Sequence, residues 1–163
     1  MSDKIEKCVV LRAPLARVWR AVTDAGEFGA WFGVAFDGPF VAGTIARAKI
    51  VSNSCGAEDA AARNPHEGKR FEILVESIEP MRRITFRWHP FAIEPGVDYS
   101  HEPTTLIVFE LEEGDAGTKL SICESGFDAI PLERRAKAFG ANERGWTAQT
   151  ANLTNYLAAE TIS

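Results

Sequence analysis

Glu124 is the residue of this chain whose placement carries the most chemistry. Along Thr118–Ser125, Leu120 and Ile122 alternate with Ser121 and Cys123, and Glu124 continues the apolar series. Successive side chains of a strand point to opposite faces, so an unbroken alternation sends this carboxyl inward. A buried carboxyl is unfavourable without partners. It can anchor the polar part of a ligand or act as a general base. It can also accept the hydrogen bonds or ion pair that tie the strand end to a helix. The structural tie is preferred, with Asn142 or Arg135 as its partner. A second converging titratable group, which acid–base catalysis usually requires, is not evident, so no catalytic residue is assigned.

Aromatic residues form the second group. On Arg82–His89 the residues Ile84, Phe86 and Trp88 share one face, and Arg83, Thr85 and Arg87 the other. Aromatic walls with a few polar groups are what a small-molecule pocket needs. Trp31, Phe32, Phe36, Phe40, Phe86 and Trp88 are therefore candidate walls, with Thr150 making one side partly polar; the alternative is that they fill the core. Trp19 and Trp146 are expected to pack helices on a sheet.

Other chemistries find little support. His66, His89 and His101 lie in or beside loops, near Glu94, Asp98 and Glu102, without HxH or HExxH spacing. No metal and no cofactor is expected. The three cysteines, Cys8, Cys55 and Cys123, are far apart and odd in number, which argues against a zinc site or a disulfide framework. Cys8 and Cys123 read as small buried apolar residues, Cys55 as a loop thiol. No Walker loop, GxGxxG or Ser-His-Asp signature is present.

A net charge of -5 argues against a nucleic-acid partner, which needs a concentrated basic face. No apolar run approaches the roughly 20 residues that cross a bilayer, so no membrane partner is expected. The N-terminus lacks an apolar signal region, and a cytoplasmic location is expected. With 163 residues and 45% hydrophobic content, one domain spanning 1–163 has enough apolar material for a core.

The elements that must position these residues follow from the pattern. Ile5–Leu11 reads as a strand. Pro14 sits where helices commonly start, and Val18, Trp19 and Val22 keep helical spacing. A second short helix carries Phe28, Trp31 and Phe32. Phe36–Val51 reads as two short strands. Ser52–Lys69 has almost no large apolar residue and reads as a mobile loop that could act as a lid. Arg70–Glu79 and Arg82–His89 form a hairpin through Pro80-Met81, and Thr104–Glu112 and Thr118–Ser125 another through Gly114–Gly117. Pro131 to about Ala159 is helical, with Gly140 and Gly145 able to bend it or delay its start. Sequential antiparallel strands with segregated helices give an α+β class.

This order, with Ala13-Pro14, Val18-Trp19, Thr23-Asp24, Trp31-Phe32, Gly43, Phe86, Trp88, Gly117–Leu120, Glu124–Phe127, Gly145-Trp146, Leu153 and Leu157, resembles the helix-grip domains of the START/Bet v 1-like (SRPBCC) superfamily. The branch it is most similar to is that of the C-terminal domain of the Hsp90 ATPase activator. The resemblance implies a curved antiparallel sheet around a long C-terminal helix, two short helices after the first strand, and a cavity between sheet and helix. It implies an apolar or aromatic ligand, with a cyclase- or aromatase-type enzyme and a chaperone-activator-like interaction module as alternatives. Thr150, where such helices carry an apolar residue, and the long Ser52–Lys69 loop are departures. The eukaryotic activators add an N-terminal chaperone-binding domain for which this chain has no room, which argues against a chaperone partner. A homodimer is left open.

Overall fold

A computed structural model describes residues 4–51, 70–90 and 101–162 of the chain. Seven strands form one antiparallel sheet: β1 (Lys4–Leu11), β2 (Val34–Phe36), β3 (Thr44–Ile50), β4 (Arg70–Glu79), β5 (Arg83–Trp88), β6 (Thr105–Gly114) and β7 (Gly117–Ser125). Their order across the sheet is β1-β7-β6-β5-β4-β3-β2. Helices α1 (Leu15–Thr23) and α2 (Ala25–Phe32) carry the chain from one edge of the sheet to the other, and α3 (Leu132–Ile162) lies against its curved inner face. This is the expected α+β helix-grip architecture.

Local sequence explains the two short helices. Pro14 caps α1 with an extended backbone, and Val18, Ala21 and Val22 form its buried stripe. Asp24 both ends α1 and caps α2, its side chain accepting from the Glu27 amide at 2.9 Å, as an N-cap acid should. At Gly29 a Cβ would come within 2.3 Å of the Val34 carbonyl oxygen, so α2 can pack against the start of β2 only with glycine there. Gly117, at φ +138, would push a Cβ to 2.1 Å from the Leu11 carbonyl oxygen. Glycine there lets β7 turn tightly after β6 and lie beside β1, pairing Thr118–Ser125 with the chain's first strand.

The core is a continuous cluster facing the inner side of the sheet. It contains Ile84 and Phe86 of β5, Ile107, Phe109 and Leu111 of β6, and Leu120 and Ile122 of β7. Phe28 and Trp31 of α2 and Trp146, Leu153 and Leu157 of α3 complete it. The period-2 reading of β5 and β7 is borne out.

Three readings need correction. Cys8 is exposed and Cys123 only half-buried, because both point to the outer face of the sheet. The run Cys8–Leu11 hides its alternation behind four consecutive apolar residues, of which Val9 and Leu11 face inward. Neither Gly140 nor Gly145 interrupts α3, which begins at Leu132. Arg135 does not reach Glu124; its guanidinium donates to the carbonyls of Asp128 and Ile130, closing the turn before α3. The Ser52–Lys69 segment, with Cys55 and His66, lies outside the described residues, as do Glu94 and Asp98.

Candidate functional site

The site starts from the polar residues on otherwise apolar inner faces. Strand alternation continues to the end of β7 and leaves Glu124 with 0% of its surface exposed. On the adjacent β6, Thr105 opens the inward series Thr105, Ile107, Phe109, Leu111 and is likewise fully buried. β5 pairs Trp88 with Thr105, and β7 pairs Glu124 with Ile107, so register alone brings Trp88, Thr105 and Glu124 to one end of the sheet.

α3 supplies the opposite wall. Its inward residues run Ala138, Asn142, Trp146, Gln149, Leu153 and Leu157 at spacings of three and four, a stripe interrupted by two amides. Asn142 Nδ2 donates to both Glu124 oxygens at 3.0 Å. Trp146 Nε1 donates to Oε1 at 2.8 Å, Trp88 Nε1 to Oε2 at 2.7 Å, and Thr105 Oγ1 to Oε2 at 2.5 Å. One buried carboxyl thus accepts five hydrogen bonds from two strands and a helix. This is the structural tie expected of Glu124, made by Asn142, one of the two partners considered. Thr105, Trp88 and Trp146 were not foreseen as donors. The signal for Thr105 was the one used for Glu124: a polar residue continuing an inward apolar series. For the tryptophans it was the indole N–H, which usually finds a partner when buried.

Above this tie lies a partly open cleft of about 80 Å³, lined by Phe32, Trp88, Asn142, Gly145, Trp146 and Gln149. The Trp88 and Trp146 rings stack at 5.8 Å and 24°, and Phe32 closes the side at 6.2 Å from Trp88 and 5.9 Å from Trp146. Gln149 Nε2 donates to the Phe32 carbonyl at 2.9 Å, joining α3 to the end of α2. A Cβ at Gly145 would meet nothing within 4 Å, so the glycine leaves the cleft floor open.

Of the candidate walls, Phe32 and Trp88 meet at this cleft, with Glu124 behind them. Trp31, Phe40 and Phe86 lie deeper, in a cluster centred on Phe28, whose ring lies 4.6 Å from Trp31, 5.6 Å from Phe40 and 5.8 Å from Phe86. Phe36 borders that cluster, 4.9 Å from Phe40. Thr150 is not among the cleft residues; its hydroxyl donates to the Thr147 carbonyl within α3. Gln149, one position earlier, takes the place on the cleft face. Apart from its place in the resemblance, Gly145 was read as a helix disturbance, because sequence shows a missing side chain but not the space it leaves.

The second polar cluster ties the helices together. Glu27 accepts from Tyr156 Oη at 2.9 Å and from Arg20 Nε at 2.6 Å, and pairs with Arg17 at 2.7 Å. Burial pushes the Glu27 carboxyl up, but the hydrogen bonds from Tyr156, Arg17 and Arg20 together outweigh it and hold it below its ordinary value. Among the described residues, no three of His, Cys, Asp and Glu converge to hold a metal, and no helix is long and apolar enough to cross a membrane.

The architecture is shared with solved structures. That of DynU16, a protein in the dynemicin biosynthetic locus, is 26% identical over 97% of this chain with a TM-score of 0.69. Only 48% of DynU16 is covered, so this chain spans about half its length. A Mesorhizobium loti protein is 18% identical, with 96% of this chain and 97% of that one covered and a TM-score of 0.69. An Arthrobacter aurescens protein is 17% identical, with 96% and 87% covered and a TM-score of 0.73. No curated protein matches the chain. Residues 12–158, carrying both short helices, six of the seven strands in full and nearly all of α3, match the family described as Activator of Hsp90 ATPase homolog 1-like protein, and the chain belongs to that family.

Proposed function

We propose that this chain binds a small apolar or aromatic molecule at the cleft beside α3. Family and fold support a ligand-binding domain in general terms. The observation that carries the specific reading is the cleft wall: two stacked indoles and a phenylalanine, edged by two amides, with the indoles held in place by a buried carboxyl. Pockets that swallow a drug-sized ligand measure roughly 300–1,000 Å³. A cleft of about 80 Å³ takes the edge of one ring or a short apolar group, and the rest of the molecule stays outside it. Glu124 supports binding over the cyclase- or aromatase-type alternative. All five of its contacts come from donors, and a general base would have to leave some of them to reach a substrate proton.

The test is a titration with small aromatic compounds, followed by tryptophan fluorescence and thermal unfolding. Ligands of the cleft should perturb the emission of Trp88 and Trp146 and raise the melting temperature by mass action. Gly145→Leu, which fills the cleft from a position with no close neighbour, should abolish both responses in a folded protein. Unchanged binding to that variant, or no response from any aromatic compound, would refute the reading. Gly145→Ala should stabilise the helix by about 0.5–1 kcal/mol and weaken binding, separating the two effects in one substitution.

A further inference from the structure

The polar edge of the cleft specifies what its ligand must carry. Asn142 is oriented by Glu124: its Nδ2 lies 3.0 Å from both carboxyl oxygens, which also receive two indole N–H groups and a hydroxyl. With the amide nitrogen held there, the carbonyl oxygen must sit on the other arm of the side chain. Among the described residues this Oδ1 accepts no hydrogen bond, and it is not sealed from solvent. Asn142 itself lines the cleft.

The other amide of the cleft is engaged on both arms. Gln149 Nε2 donates to the Phe32 carbonyl at 2.9 Å, and its Oε1 accepts from Asn152 Nδ2 at 3.1 Å. Both indole N–H groups of the wall are taken by Glu124. Each side-chain nitrogen named at the cleft thus bonds within the protein, and among the described residues Asn142 Oδ1 is the one side-chain oxygen of its lining that makes no such bond, an acceptor beside an aromatic wall.

Resting on the cleft reading above, we infer that the ligand is an aromatic molecule bearing a hydroxyl or N–H donor, of the phenol class, which donates to Asn142 Oδ1 while its ring lies against Trp88 and Trp146. Glu124 is then a positioning residue: it acts on the ligand only by fixing which end of the Asn142 amide faces the cleft. An aromatic carboxylate or ketone, which only accepts, could not make the bond to Asn142 Oδ1.

Phenol, anisole and toluene separate these terms, since methylation removes the donor of phenol and keeps the ring and oxygen. Dissociation constants from tryptophan fluorescence should favour phenol over anisole by roughly five- to thirtyfold, the worth of a hydrogen bond to an otherwise unsatisfied acceptor. Asn142→Leu should bring phenol down to the level of anisole while anisole binding persists. Glu124→Gln, by releasing the amide, should erode the phenol-to-anisole ratio; a merely structural role would weaken both ligands alike. Equal binding of phenol and anisole to the unaltered protein overturns this inference and leaves the cleft reading standing. A phenol preference that survives Asn142→Leu also overturns it. If none of the three compounds binds, both readings fall.

Discussion

Two aromatic regions of this protein are built from the same residue types and end differently. Around Phe28 the rings of Trp31, Phe40, Phe86 and Phe109 lie 4.6–5.9 Å away, and the cluster is buried. The rings of Trp88, Trp146 and Phe32 lie 5.8–6.2 Å apart and border an open cleft. Trp31 satisfies its indole N–H locally, on the Ala21 carbonyl at 2.9 Å, and is free to pack as an apolar body. Trp88 and Trp146 instead converge on one carboxyl from opposite walls, which fixes the edges of the rings and holds strand and helix at a set separation. Gly145 then leaves that separation unfilled. A wall differs from a core here by a polar tether and one absent side chain, not by aromatic content.

The largest expected effect breaks the closed region. Phe109→Ala removes a fully buried ring that touches Phe28, Phe86, Trp31 and Trp146 and should lower stability by about 3–5 kcal/mol in denaturant unfolding. Trp88→Phe keeps a ring at the open wall and removes one donor, with an expected loss of about 1 kcal/mol. Equal losses would erase the distinction drawn between the regions.

Glu124→Gln sharpens it. A neutral amide leaves one acceptor oxygen for donors that now share two, and turns an NH2 toward indole N–H groups. Stability should fall by roughly 1–3 kcal/mol, with a change in near-ultraviolet circular dichroism from the loosened tryptophans. An unaltered spectrum would mean that the tether does not hold the wall.

The smallest effect concerns acid. The folded protein holds Glu27 below its ordinary value of 4.5, so its ionised form stabilises the fold above that value and the contribution is lost as pH falls through the lower, folded value. Glu27→Gln should therefore shrink the decline in melting temperature below about pH 4.5 without changing cleft binding, since this cluster ties α1, α2 and α3 far along the helix from Glu124. A variant with an unchanged acid limb would remove Glu27 from the account.

Much of this was legible because strands and helices print their period in the chain. Ile84, Phe86 and Trp88, or Leu120, Ile122 and Glu124, need only alternation to be assigned a face. Pro14, Asp24 and Gly117 mark where elements begin or turn. The inward course of Glu124 followed from the same reasoning, which left Asn142 and Arg135 as alternative partners. Cys8 was misplaced because the unbroken apolar run Cys8–Leu11 conceals the period, and Arg135 because a long charged side chain can satisfy carbonyls close to it in sequence before reaching a distant acid.

What the sequence determined by itself was therefore the set of elements, their faces and the presence of a buried carboxyl, all consequences of periodicities that act over a few residues. Which side chains share that carboxyl, and where space is left beside it, depended on how β5, β6 and β7 register and how α3 is placed across them. Those contacts join residues as far apart as Phe32 and Gln149. No local pattern records such distances, because they are set by the packing of the whole sheet against one helix.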